Sequence, residues 1–258
     1  MAIMLNVIKI GGNVIDNEQA LKSFLVDFSA IRGFKMLVHG GGQLSTKLSE
    51  MLDIQAQMID GRRVTDAETL KVVTMVYAGW INKSIVAQLY ANGCTALGLS
   101  GADANTIPAV KRNPLPIDYG FVGDISPARV NVGFLRSVME QGAVPVFSAI
   151  THDTKGTLLN SNADTVASSL AIAMSHITPT RLIFCFEKKG VLSNLDDDSS
   201  VIPEITRDMY AEYKVQGIIS GGMIPKVDNA FKAIDSGVKE VLIKHATAIN
   251  TGGGTTIK

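Results

Sequence analysis

Two lysines near opposite ends of the chain, and an aspartate between them, are the residues best suited to chemistry on a phosphoryl group. Lys9 lies in the short apolar run Val7-Ile8-Lys9-Ile10, which ends in Gly11-Gly12. Buried parallel strands read as near-continuous apolar runs, and an ammonium inside one is costly unless an anion pairs with it. Paired glycines let backbone N–H groups approach such an anion. Lys226 stands one helical turn after Gly221-Gly222, where a cation opposes the helix dipole. Taken singly, a strand-end lysine snorkels and a helical lysine is solvated. Taken together, they could bracket a migrating phosphoryl, whose transfer is driven by positioning and charge neutralisation. Asn160, Asn162 and Asp164 alternate, so in an extended segment all three point the same way. The plainer possibility is N-capping of the next helix by Asn162 or Asp164. Asp164 is then the natural partner of one or both lysines.

Glycine clusters recur at Gly11-Gly12, Gly40-Gly41-Gly42 and Gly221-Gly222. The first two follow a strand and precede a helix, where free amides and the helix dipole attract anions. Neither fits the Walker pattern or the dinucleotide fingerprint. Arg62 and Arg63 fall at or just past a hairpin tip; arginine captures carboxylates bidentately, although exposed hairpin arginines are commonplace.

These residues need a scaffold, and the rest of the chain is consistent with one. At 258 residues, 46% apolar and 19% charged, it can form one large α/β domain or two lobes. Formal net charge is zero, which argues against a nucleic-acid binder. No apolar run approaches the ~18 residues of a membrane span, and the first residues lack a signal peptide's features. Cys94 and Cys185 form no paired motif, and His39, His152, His176 and His245 show no metal-ligand spacing. A reduced, cytoplasmic, metal-independent scaffold is expected, with Mg²⁺ arriving on a nucleotide.

The spacing predicts strand, glycine cluster, helix twice within the first fifty residues, the pattern of a parallel sheet with helices on its faces. Asp16, with Gln19 at the capping-box position, is read as capping the first long helix, which Gly33 ends. Asp60-Gly61 predicts a hairpin. Thr65 and Glu68 form a second capping box opening a long helix to Asn92, stopped by Gly93. Phe121–Ile125 reads as an edge strand, Ala143–Ala149 as a buried strand, and a lobe boundary falls within 150–176. A small-residue helix over Thr165–Met174, a strand over Arg181–Phe186, a short helix capped by Thr206 and a last helix after Gly221-Gly222 complete the reading.

The ordered set Val7-Ile8-Lys9-Ile10-Gly11-Gly12, Val38-His39-Gly40-Gly41-Gly42, Gly61-Arg62-Arg63-Val64-Thr65, Gly79-Trp80-Ile81-Asn82-Lys83, Asn160-Ser161-Asn162-Ala163-Asp164, Gly222-Met223-Ile224-Pro225-Lys226 and Gly254-Thr255-Thr256-Ile257 resembles the amino acid kinase family, most closely its members acting on N-acetyl-L-glutamate. The resemblance implies an α/β fold, an open αβα sandwich with a mainly parallel central sheet and two lobes. Residues 1–176 would bind the acylamino acid and dimerise, and 177–258 would bind ATP. It implies transfer of the γ-phosphoryl of MgATP to the side-chain carboxylate of an N-acylated glutamate, the second step of arginine biosynthesis. Lys9 and Lys226 would stabilise the transferring phosphoryl and Asp164 would position both. Backbone amides of Gly11, Gly12, Gly41 and Gly42 would cradle phosphoryl and carboxylate, while Arg63 and Asn160 would hold the α-carboxylate. Glu187, Gly190, Ile219, Ser220 and Gly222 would contact the nucleotide. Similar enzymes without an N-terminal helical extension are homodimers not inhibited by arginine, and only eight residues precede Lys9 here.

The sequence departs from the family at Phe186-Glu187-Lys188-Lys189-Gly190, where the usual pattern is an aspartate, a small residue and Val-Pro-Gly. The stretch Ile243–Gly254 is shorter than usual, and the loop Gly101–Tyr119 differs. N-Succinyl-L-glutamate is a second candidate acceptor, its extra carboxylate needing a cation from Arg62, Lys111 or Arg112. A kinase for carbamate, aspartate, glutamate or UMP competes with this reading, as does a non-catalytic ligand sensor on the same scaffold.

Overall fold

The computed structural model describes residues 4–55, 57–59, 62–194, 196–221 and 223–258. Strand β1 (Leu5–Ile10) leads through α1 (Gly12–Asp16) and α2 (Glu18–Ala30) to β2 (Lys35–His39) and α3 (Leu44–Met51). Strands β3 (Met58–Ile59) and β4 (Arg62–Arg63) pair as a hairpin, with Met58 opposite Arg63. The Asp60-Gly61 turn predicted between them lies outside the described residues. Helix α4 (Ala67–Thr74), a π-helical segment (Met75–Ile81) and α5 (Asn82–Ala91) run on without a break, covering the single long helix expected. Then come β5 (Ala96–Leu99), β6 (Ala109–Lys111), β7 (Gly123–Ile125), α6 (Val132–Glu140), β8 (Val144–Ser148), β9 (Ile150–His152), β10 (Leu158–Asn160) and α7 (Ala163–Ser175). The chain ends with β11 (Thr180–Phe186), β12 (Glu204–Ile205), α8 (Arg207–Val215), α9 (Met223–Asp235), β13 (Glu240–His245) and β14 (Thr255–Ile257).

Eight strands form one sheet in the order β12-β14-β13-β11-β1-β2-β8-β5. Every neighbouring pair is parallel except β13 with β14. The open αβα sandwich read from the sequence is the fold observed, with helices on both faces. Strand β1 lies near the middle of the sheet, where Lys9 is flanked by Phe184 and Val38. The carboxyl ends of β2, β1, β11 and β13 come out together, since Ile10 pairs with His39 and Cys185, and Phe186 with His245. Ligands bind along such an edge in open α/β sheets.

Helix α7 packs against β1, β2, β11 and α9. Ten of its thirteen residues are buried. Its small side chains let it sit that deep, and it carries Asp164 into the centre of the molecule. On α2, Phe24 and Phe28 stack at 6.1 Å and are fully buried.

Two caps lie one residue beyond the expected positions. Asn17, not Asp16, caps α2 by accepting from Ala20 N–H. Asp66, not Thr65, caps α4 by accepting from Thr69 N–H. Both neighbours in each pair are competent caps, and tertiary bonds claim the other one: Asp16 accepts from Gln43 N–H, and Thr65 accepts from Asn160. The expected edge strand Phe121–Ile125 is shorter and lies off the main sheet, as β7 paired antiparallel with β6. Gly33 and Gly93 have positive φ just past their helices, and Thr206 caps α8, as the spacing implied.

Candidate functional site

Three elements far apart in sequence bring the two lysines to one carboxylate. Lys9 Nζ, from β1, lies 2.7 Å from Asp164 Oδ1, and Lys226 Nζ, from the first turn of α9, lies 3.0 Å from Oδ2. Burial pushes the Asp164 carboxyl up, but the Lys9 and Lys226 ammoniums outweigh it and hold the group at about 2. The carboxylate is therefore ionised throughout the physiological range, with one ammonium on each oxygen. Asp164 reaches this place from a helix rather than from an extended segment. Asn162 is the N-cap of α7, accepting from Asp164 N–H and Thr165 N–H. A buried lysine alone does not make a site. Lys35, at the opposite end of β2, donates to the Phe28, Ser29 and Ile31 carbonyls and closes the end of α2.

The first two glycine clusters touch. A side chain at Gly12 would stand 3.1 Å from Gly42 Cα, and Gly42 has φ +54°. Gly41 lies under the Tyr77 ring, where a Cβ would come within 1.5 Å of Cε1. Gly11 N–H donates to Cys185 O at 2.8 Å. That amide completes the β1–β11 ladder instead of facing a ligand, and Gly11 leaves little room for a side chain against Phe186.

Beside these turns, a cavity of about 210 Å³ is lined by Gly40, Gly42, Arg63, Tyr77, Asn160 and Asn162, among others. Arg63 Nη2 donates to Thr46 Oγ1 at 2.7 Å, which fixes the guanidinium. Its Nη1 is buried with no hydrogen-bond partner. A buried unpaired donor is expensive, and an anion in the cavity would satisfy it. Asn160 is held by its donation to Thr65 Oγ1 at 3.0 Å. Of the cations expected beside the acyl group, Arg112 lines the cavity but is paired with Asp124. Lys111 stands over the Phe121 ring at 4.7 Å. The Arg62 side chain is outside the described residues.

A second cavity of about 520 Å³ opens at the ends of β11 and β13, lined by Glu187, Lys189, His245, Thr247 and Gly252–Gly254 among others. Glu187, expected to contact the nucleotide, lines it. Gly190 and Ile219 are buried and do not line it. Gly190 packs on Thr255, whose hydroxyl accepts from Val191 N–H and donates to Ile202 O. Ser220 is exposed ahead of α9, and Gly222 is outside the described residues. The shortened stretch after Ile243 supplies His245, Thr247 and the glycine run; only Gly254 of these belongs to a family motif, and no motif singles out His245 or Thr247. Among the described residues, no group of three or more His, Cys, Asp or Glu could hold a metal ion. Cys94 and Cys185 are both buried, and burial pushes the Cys185 thiol up to about 12.

The sequence pattern of the amino acid kinase family matches residues 4–245. The chain belongs to that family. This amino acid kinase is 55% identical to the acetylglutamate kinase of Phocaeicola vulgatus, over 98% of each chain. It is 53% identical to the acetylglutamate kinase of Bacteroides thetaiotaomicron, again over 98% of each. Its fold is similar to the crystal structure of smu.665 from Streptococcus mutans, with a TM-score of 0.78 and 27% identity, covering 99% of this chain and 98% of that one.

The kinase fold holds further residues at the site that the chemistry of the motifs does not reveal. His39 is fully buried at the head of the second glycine cluster. Its Nε2 lies 3.0 Å from the Asn82 amide nitrogen. In the sequence His39 and Asn82 stand in two separate family motifs, and His39 is otherwise weighed only as a metal ligand. Forty-three residues separate them, and no local pattern links the two.

Proposed function

We propose that this chain transfers the γ-phosphoryl of ATP to the side-chain carboxylate of N-acetyl-L-glutamate, giving an acyl phosphate and ADP. The observation that carries the reading is Asp164 holding Lys9 and Lys226 on its two oxygens, next to Ala163, against which Gly40 of the second glycine cluster packs. The acceptor's identity rests on full-length likeness to acetylglutamate kinases. We assign the α-carboxylate to Arg63, whose buried Nη1 has no hydrogen-bond partner within the chain.

A carboxylate oxygen attacks the γ-phosphorus, and the bond from that phosphorus to the ADP oxygen breaks, its electron pair leaving with ADP. No proton moves, because the attacking carboxylate is already ionised at neutral pH. Lys9 and Lys226 neutralise the charge that spreads over the phosphoryl and leaving oxygens, which is the main help such a transfer needs. Asp164 keeps the ammoniums apart and aimed. Amides of Gly12, Gly41 and Gly42 stand over the reacting oxygens, and Asn160 steadies the acceptor beside Arg63. The acceptor occupies the lobe of residues 1–176 and the nucleotide that of 177–258, its base in the cavity at the ends of β11 and β13. Glu187 lines that cavity, and Ser220 leads into the helix bearing Lys226. Mg²⁺ accompanies ATP on phosphate oxygens.

The protein works in the cytoplasm; no described helix is long and apolar enough to cross a membrane. We further propose a homodimer. The open edge of β5 and the exposed Leu97, Trp80 and Tyr90 supply apolar surface for a second copy, and light scattering of the purified protein reads the mass. The activity test is ADP release coupled to trapping of the acyl phosphate as a hydroxamate, with N-acetyl- and N-succinyl-L-glutamate compared. Equal amounts of ADP and hydroxamate with the acetyl substrate are expected. ADP without hydroxamate, or no ADP, overturns the reading.

A further inference from the structure

We propose that the π-helical segment Met75–Ile81 and the residue after it, Asn82, form a clamp that fixes the Gly40–Gly42 backbone, with Asn82 and His39 as positioning residues for phosphoryl transfer. The inference rests on the function proposed above, because it gives those glycine amides their task.

The clamp has two jaws. Tyr77 covers Gly41 so closely that no side chain could fit there. Asn82 Nδ2 donates to His39 Nε2 and to Val146 O, both at 3.0 Å. Residues five apart on an α-helix point about 140° away from each other. Widening to i→i+5 bonding brings Tyr77 and Asn82 round toward one side, and π-helical turns concentrate at functional sites. The His39 ring then passes the restraint on. The Gly40 carbonyl can only accept, so Nδ1 carries the proton and donates to it at 2.8 Å, which leaves Nε2 as the acceptor for Asn82. Asn82 is itself braced, since Lys83 Nζ donates to its Oδ1 at 3.2 Å and to Gly98 O at 3.0 Å. Gly98 makes room, because a Cβ there would lie 2.1 Å from Asn82 Oδ1.

The charges around the ring agree with one neutral tautomer. From α5 it faces the Lys83 ammonium. Its strand neighbours are Ile10 and Ser148, neither of which titrates. The carboxylate on α7 is Asp164, engaged by Lys9 and Lys226. Burial first, and Lys83 with it, holds His39 down at about 4, although its bond to Gly40 pulls the other way.

The test compares Asn82→Leu and Asn82→Asp with the unaltered enzyme, using steady-state kinetics from pH 5.5 to 9 (about the range buffers cover without denaturing such a protein) and NMR of the histidine ring. Asn82→Leu removes both donations. Its kcat should fall about 30-fold, with KM for ATP and acceptor within about twofold, because bound substrates meet a misplaced cradle. Asn82→Asp keeps the shape but offers only acceptors, so His39 must take a proton to bond it. A new ionisation between about pH 5 and 8 should then appear in kcat and in the His39 resonance. If Asn82→Leu turns over normally, or loses activity only in proportion to unfolded protein, the clamp is wrong. It is equally wrong if His39 in Asn82→Asp titrates as it does in the unaltered enzyme. Absence of acyl phosphate from the unaltered enzyme overturns the function and the clamp's role with it.

Discussion

The proposed acceptor cavity and the proposed nucleotide cavity lie at the ends of the strands on either side of β1, yet they are built in opposite ways. The proposed acceptor side is made of side chains locked by fixed partners: Arg63 on Thr46, Asn160 on Thr65, Tyr77 on Gly41. The nucleotide side is made of loops, whose charged residues pair at the surface, as Lys188 does with Asp198 at 3.2 Å. A fixed guanidinium with an unpaired nitrogen demands one kind of ligand in one pose. A loop-lined cavity lets flat, extended molecules settle by shape. Stringent choice of acceptor and tolerant handling of nucleotide are the expected result.

The largest effect should come at the two lysines on Asp164. Lys9→Ala or Lys226→Ala is expected to lower kcat about 1,000-fold, roughly 4 kcal/mol of transition-state stabilisation, with circular dichroism unchanged. A loss below tenfold for both would mean the ammoniums do not face the phosphoryl. Next comes Arg63→Lys, which keeps the charge but loses the fork. KM for the acceptor should rise about 10- to 100-fold while KM for ATP stays put; a matching rise for ATP would erase the contrast between the cavities.

A third effect is on stability. His39 is held at about 4 in the fold, below its ordinary 6.5. Its contribution is full above pH 6.5 and is lost as pH falls toward 4, because the unfolded chain takes up the proton first. That loss is worth about 3 kcal/mol. Asp164, held at about 2 against an ordinary 3.8, gives way only below pH 3.8. Urea titrations at pH 7.5 and 4.5 should therefore show a drop that Asn82→Asp abolishes, since its partner favours the charged ring. The smallest effect is expected on the loop side. Lys188→Ala should change KM for ATP less than about threefold and stability by less than about 0.5 kcal/mol, because exposed pairs contribute little. A larger change would make this loop as specific as the acceptor cavity.

Much of this is legible in the residues. The strand–glycine–helix repeats announce a parallel sheet, and Lys9, Asp164 and Lys226 are conspicuous because charge in an apolar or dipole-opposed setting requires a partner. The caps fall one residue from their expected places because Asp16-Asn17 and Thr65-Asp66 each offer two good caps, and only tertiary bonds choose between them. The π-helical turn leaves no mark in the apolar spacing. The His39–Asn82 bond joins residues whose neighbours in sequence give no hint of the pairing. The burial of Gly190 and Ile219 is not legible either, because apolar and glycine positions in a loop do not disclose which way they turn.

The final strand has a practical bearing. Thr255 ties the backbone at Val191 and Ile202, and Lys258 N–H reaches Ile205 O. Residues 255–258 are thus mortar for the wall of the proposed nucleotide cavity. Thr255→Val, which keeps the shape but cannot bond Val191 N–H or Ile202 O, should therefore slacken ATP binding while the lysines stay in place.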